Sequence, residues 1–280
     1  MTVFRGLSAF PVTPADDVGR VDVDALARIV DRAVGAGVDS IGLLGSTGIY
    51  AYLAEDQRGR AVRAAHEAVA GRVPLIVGVG ALRTDAAIRL AQDAAEGGAD
   101  GLLLAAMSYT PLTQAEVEAH ARAVADATDR PLCLYDNPST THFRFEDETV
   151  ARLAEHPGVA ALKAPPPDDM GRDVARRRAA LPKGFALGYS GDWTVAAAFA
   201  AGADVFFSAL AGTVPDPFVA VARGEAGAAP EPLLALCRTH GSLRVAYAAA
   251  NALGLTDARP PLPVMPLDNA ARAEVEAALP

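Results

Sequence analysis

Lys163 and Lys183 are the only lysines among 25 basic residues, so the chain uses arginine for ordinary positive charge. A lysine kept against that bias offers what arginine cannot, an amine that loses its proton and attacks a carbonyl. Lys163 closes the apolar run Val159-Ala160-Ala161-Leu162, and burial there would have to bring its pKa from about 10.4 to near 7. That shift costs about 4 kcal/mol, which desolvation can supply. The competing reading is a lysine whose stem lies on apolar surface while its amine reaches water. Lys183, between Pro182 and Gly184, reads as surface.

Three other short segments carry groups that could serve such an amine. Gly45-Ser46-Thr47-Gly48 offers two hydroxyls and free backbone amides, a suitable cradle for a small carboxylate, although a plain turn would read the same way. Tyr135, in Tyr135-Asp136-Asn137-Pro138, has a phenol able to move protons, or else packs under a loop. Ser190-Gly191-Asp192 follows a further apolar run. Elsewhere the signals fail. Gly78-Val79-Gly80 lacks the third glycine of a dinucleotide loop, His66-Glu67 has no second histidine one turn on, and no residues have metal-ligand spacing. His66, His120, His156 and His240 read as helix-surface or helix-end residues, Arg176-Arg177-Arg178 as a solvated helix face, and Cys133 and Cys237 as buried free thiols.

These segments need a scaffold that brings strand ends together. Apolar runs at 5–10, 39–44, 74–79, 101–106, 131–135, 159–163, 185–189 and 204–208 alternate with helical periodicity at 22–36, 54–70, 84–97, 114–127, 146–155, 168–181 and 193–201. Eight strands in βα units predict an α/β fold, a (β/α)8 TIM barrel, with every candidate group at the C-terminal end of a strand. Gly37-Val38-Asp39, Gly98-Ala99-Asp100 and Gly202-Ala203-Asp204 repeat one helix-to-strand joint. Strand signals stop near 210, so residues 1–210 are expected to form the barrel and 211–280 a helical extension packed on it.

A 51% hydrophobic chain has apolar surface enough for a core, and a formal net charge of −9 leaves no basic face for nucleic acid. No run is long and apolar enough for a membrane span, and the first residues carry no secretory pattern, so a cytoplasmic location and a small-molecule partner are expected.

Together, Gly45-Ser46-Thr47-Gly48, Tyr135-Asp136-Asn137-Pro138-Ser139, Leu162-Lys163 and Ser190-Gly191-Asp192, with Phe10-Pro11-Val12-Thr13-Pro14 near the start, resemble the dihydrodipicolinate synthase/N-acetylneuraminate lyase family in order and spacing. The resemblance implies a class I aldolase or lyase, usually a homotetramer, in which Lys163 forms a Schiff base with pyruvate or a related 2-oxo acid and an aldehyde is the second substrate. It implies no cofactor, because the protonated imine is itself the electron sink. Carried over by motif, Lys163, Tyr135 and Thr47 are the catalytic candidates, and Ser46, Thr47, Gly48, Thr140 and Phe206 the substrate-binding ones.

The chain also departs from the family pattern. Thr140 stands where synthases using aspartate semialdehyde carry an arginine, Ile49 replaces a usual glutamate, and Trp193 replaces a frequent acidic residue. In Met107-Ser108-Tyr109-Thr110-Pro111, Ser108 falls at a position often held by a relay tyrosine, leaving Ser108 and Tyr109 as relay candidates. The alternatives are a 4-hydroxy-tetrahydrodipicolinate synthase, a Schiff-base dehydratase of a sugar-derived 2-oxo acid, and a non-catalytic 2-oxo-acid binder. Missing charges favour a less charged acceptor than aspartate semialdehyde.

Overall fold

A computed structural model describes residues 3–225 and 227–280. Eight strands, β1 (Gly6–Ala9), β2 (Ser40–Leu43), β3 (Leu75–Gly78), β4 (Gly101–Ala105), β5 (Leu132–Tyr135), β6 (Val159–Ala164), β7 (Ala186–Tyr189) and β8 (Val205–Ser208), pair in parallel in the order of the chain, and β8 returns to β1. This is the expected (β/α)8 barrel. Its strands are almost wholly buried because helices cover one face and barrel side chains the other.

The helices are α1 (Val23–Ala36), α2 (Glu55–Val69), α3 (Thr84–Glu96), α4 (Gln114–Ala125), the single turn α5 (Pro138–Thr141), α6 (Asp147–Ala154), α7 (Met170–Ala180), α8 (Val195–Ala200), α9 (Pro215–Ala222), α10 (Glu231–His240), α11 (Ser242–Ala252) and α12 (Asn269–Ala277). Local chemistry sets their starts. Asp22 accepts from the Ala25 amide, and Thr113 and Glu116 form a reciprocal cap on α4.

The repeated Gly-x-Asp joint has a second purpose beyond the left-handed glycine at positions 37, 98 and 202. The carboxylates of Asp39, Asp100 and Asp204 accept the amides of Leu7, Leu75 and Leu187, over 2.8, 2.8 and 2.7 Å. Each joint thus ends one helix and satisfies the amide of a neighbouring strand at the floor of the barrel.

Two expectations need correction. Residues 215–222, assigned by sequence to the extension, form α9, which packs against α8, α1 and β1 and so completes the outer ring of helices. Pro215 and Pro217 stand in the first turn of this helix, where a missing amide costs nothing. The segments α10–α12 then pack together, with α10 and α11 against the turns that follow β7 and β8.

The run Arg176-Arg177-Arg178 is not simply solvated. Arg177 is buried, with Nε 2.9 Å from Asp173 and Nη1 3.3 Å from Asp147, while the Tyr189 phenol donates to Asp173 over 2.8 Å. This network ties α7 to α6 and β7, and the two carboxylates offset the cost of burying the guanidinium. Both cysteines are buried and free.

Candidate active site

β5 and β6 run in register, with Tyr135 opposite Lys163, so both side chains point into the C-terminal mouth of the barrel. The Lys163 amine lies 4.0 Å from the centre of the Phe10 ring, 4.1 Å from that of Tyr135 and 5.3 Å from that of Phe207. Phe10 and Phe207 meet edge to face with centroids 5.8 Å apart. Phe10 can lie there because residue 42 is glycine, since a Cβ at Gly42 would come within 2.1 Å of its ring.

Lys163 is 4% exposed, and burial pulls its pKa down from 10.5 to about 7, opposed by weaker attractions to Cys133 and Asp192. A large share of the amine is therefore neutral and nucleophilic near neutrality. Asp192, on the turn after β7, is itself buried, accepts from the Leu210 amide over 3.2 Å and is pushed up to about 6, chiefly by burial.

A buried lysine of this kind has a thermodynamic signature. The unfolded chain holds the extra proton between about pH 7 and 10 while the folded chain does not, so the stability lost to this lysine is greatest below pH 7 and is recovered as pH rises. Lys163→Met should be more stable than the parent by about 4 kcal/mol near pH 7, with the difference shrinking toward pH 10. Denaturant titrations of both proteins at the two pH values test this, and a constant difference would show that the amine is not desolvated.

The Tyr135 phenol is buried and accepts from Asn137 Nδ2 over 2.9 Å, with Ser46 Oγ at 3.5 Å. Asn137 Nδ2 also lies 3.3 Å from Ser46 Oγ. Burial first of all pushes the phenol up to about 12, so it stays protonated as a donor. Ser46 and Thr47 are half-buried, and Gly48 is buried against the Leu44 backbone. Leu44 and Ile49, at the two ends of this segment, have φ of 56° and 52°. Both lie in the left-handed region, which a β-branched residue such as Ile49 rarely adopts, so the turn is held in a strained shape.

The other candidates fall outside this group. Phe206 turns its ring outward, 6.3 Å from Phe199 of α8, so the barrel-facing phenylalanine is Phe207. Thr140 is exposed on α5 and donates to the Asn137 carbonyl over 3.3 Å. Ser108 donates to the Thr110 carbonyl, and Tyr109 is 96% exposed. Trp193 is 41% exposed, with the Arg238 guanidinium 6.0 Å from its ring. Sequence reasoning gave no site role to Phe10 or Asn137, although both stand within the motifs that carry the resemblance, nor to Phe207, for which no local signal existed. Among the described residues no three His, Cys, Asp or Glu side chains are placed to hold a metal ion, and no helix is long and apolar enough to cross a membrane.

A closed parallel barrel with a desolvated lysine at the end of its sixth strand and a phenol beside it is the frame of a class I, Schiff-base-forming aldolase or lyase. Residues 3–280 match the family described as the dihydrodipicolinate synthetase family, and the chain belongs to it. A solved dihydrodipicolinate synthase from Agrobacterium tumefaciens is 50% identical, with a TM-score of 0.96 over 99% of this chain and 98% of that one. 4-Hydroxy-tetrahydrodipicolinate synthase 1 of Streptomyces coelicolor is 38% identical over 78% of this chain and 70% of its own length. The Corynebacterium aurimucosum 4-hydroxy-tetrahydrodipicolinate synthase is 35% identical over 96% and 93%.

Proposed function

We propose that this aldolase forms an imine between Lys163 and pyruvate or a close 2-oxo acid, and joins the resulting enamine to, or releases it from, an aldehyde less charged than aspartate semialdehyde. The observation that carries the reading is the nearly water-free amine between Phe10, Tyr135 and Phe207. The hydroxyls of Ser46 and Thr47, with the amide of Gly48, hold the carboxylate of the 2-oxo acid. The neutral amine then adds to the keto carbon. Tyr135 gives its proton to the departing hydroxyl, and the nitrogen lone pair closes the C=N bond. The ring faces around Nζ stabilise the positive charge that appears on that nitrogen, while the attraction of Asp192 is too weak to hold the free amine protonated. Borohydride reduction in the presence of a panel of 2-oxo acids, read by intact mass, identifies the donor, and failure of every 2-oxo acid to add mass would refute the proposal.

The names of the relatives favour a second reading, condensation of pyruvate with aspartate semialdehyde. Against it, the position of the usual cation holds Thr140, whose hydroxyl is turned onto the Asn137 carbonyl, while Ile49 is buried and Trp193 is apolar. Losing one charge-assisted pair costs about 1.5–3 kcal/mol, so aspartate semialdehyde should be disfavoured against a neutral aldehyde by roughly 10- to 150-fold in kcat/KM. Steady-state rates at fixed pyruvate decide the matter, and efficient turnover of the semialdehyde would establish the second reading. On the first reading the enzyme works in the cytoplasm as a homotetramer, and the almost fully exposed aromatic ring of Tyr109 is the kind of surface an assembly covers.

A further inference from the structure

Asn137 stands just before the turn α5, at the position where an asparagine side chain ordinarily accepts an amide of its own helix. Here the side chain leaves that turn uncapped. It reaches into the mouth of the barrel instead, with Nδ2 2.9 Å from the Tyr135 phenol oxygen and 3.3 Å from Ser46 Oγ. The other end of the amide is held, because Ser139 Oγ donates to Oδ1 over 2.8 Å. The backbone on either side is fixed as well. The Asp136 amide donates to the Lys163 carbonyl over 2.9 Å, and the Asn137 carbonyl accepts the amides of Thr140 and Thr141, each over 3.0 Å.

A primary amide nitrogen carries two hydrogens and accepts nothing, so it can serve both oxygens at once. Each hydroxyl has a single hydrogen. With its oxygen already accepting from Asn137, the Tyr135 phenol keeps that hydrogen for another acceptor, and so does Ser46. The direct contact between the two, at 3.5 Å, is too long to claim either proton in competition. A donor fixed at the phenol oxygen before the reaction also stabilises the phenolate formed during it, without reorganisation at that moment.

We propose that Asn137 is a positioning residue of this site: by donating to both oxygens it directs the Tyr135 proton at the departing hydroxyl and the Ser46 proton at the carboxylate of the 2-oxo acid. The proposal deepens the aldolase reading above and rests on it. In the step it serves, the C–O bond of the carbinolamine breaks with its pair on oxygen, the nitrogen pair closes C=N, and oxygen takes the Tyr135 proton to leave as water. Nδ2 holds the phenolate until it recovers a proton from the carbon beside the imine, as the enamine forms. Asn137 itself exchanges no proton.

The test is single-turnover imine formation with pyruvate, or with the panel member trapped in its place, read by borohydride quench and intact mass. Asn137→Leu keeps roughly the volume and removes both donors. Its maximal rate should be about 3- to 10-fold lower, through Tyr135, and its half-saturating concentration about 3- to 10-fold higher, through Ser46, with Lys163 still trapped. In a Tyr135→Phe background Asn137→Leu should lower the rate no further, while the half-saturating concentration still rises.

Asn137→Asp has the shape of the parent but accepts protons from both hydroxyls, so it should be at least about 10-fold slower than Asn137→Leu. The ionisable groups around the position are Tyr135, Lys163 over its ring and, from its own segment, Asp136, which takes the Phe145 amide, and the exposed His142 and Arg144. The turn at 44–49 brings none. A new carboxylate would also favour protonated Lys163, an effect that fades above the titration of that amine, so the deficit should persist at pH 9. Asn137→Asp as fast as Asn137→Leu would show that the hydroxyls donate to residue 137, and a deficit gone at pH 9 would reduce it to charge. Parent values in Asn137→Leu, rate losses that multiply with Tyr135→Phe, or loss of trapping would each leave Asn137 without a positioning role. Any of these overturns the proposal, whereas a parent enzyme that traps no 2-oxo acid refutes the aldolase reading and the proposal with it.

Discussion

Lys163→Arg and Lys163→Ala should both lose borohydride-trapped 2-oxo acid completely, with turnover falling roughly 10⁴-fold or more, the order of effect seen when a covalent nucleophile is removed. The two variants separate charge from nucleophilicity. Arginine can place a cation among the Phe10, Tyr135 and Phe207 rings, yet it has no amine to release there. Alanine removes both. Equal inactivity of the two shows that the free amine is what the site requires. Intact mass after reduction is the deciding measurement. A pyruvyl-sized adduct that persists in Lys163→Ala would transfer the role to another amine, and Lys183 is the only other lysine side chain.

Tyr135→Phe should lower kcat by roughly 10²–10⁴ while leaving trapping at Lys163 detectable, because the ring that walls the amine remains and only the proton donor is lost. The loss should fall on kcat rather than KM, since the phenol acts on the departing hydroxyl after the 2-oxo acid is held by the turn at 46–48. Some cost in stability follows as well, because Asn137 Nδ2 loses its 2.9 Å acceptor, a net effect of about 1 kcal/mol. Single-turnover measurement of imine formation separates the two effects. An unchanged rate would remove Tyr135 from proton transfer and leave it as a wall of the pocket.

Much of this was legible without coordinates, and for physical reasons. The excess of arginine made Lys163 conspicuous, since a lysine at the end of an apolar run offers an amine that arginine cannot supply. The alternation of short apolar runs with helical periodicity determined the eight strands, and a parallel barrel puts every strand end at one mouth. Tyr135 and Lys163 could therefore be brought together from their places at adjacent strand ends alone. The Gly-x-Asp joints were legible as helix stops, but the carboxylate's bond to a neighbouring strand was not, because the partner amides lie 17 to 32 residues away.

What only the tertiary structure decided has a common origin. A strand buried on both faces shows no polar alternation, so sequence could not say which of Phe206 and Phe207 looks inward, and the barrel chose Phe207. Burial of Arg177 and Arg58 depended on partners from other elements, Asp147 and Asp173 for one and the Gly80 carbonyl with the Tyr50 ring for the other. The role of α9 followed from closure of the ring between α8 and α1, which no local pattern encodes. Composition and periodicity thus determined the fold and the mouth at which its strand ends meet, while the family resemblance singled out Lys163 among the groups there. Desolvation of Lys163, which lowers its pKa toward neutrality, came with three aromatic rings on β5, β8 and the segment after β1, brought together only when the barrel closed.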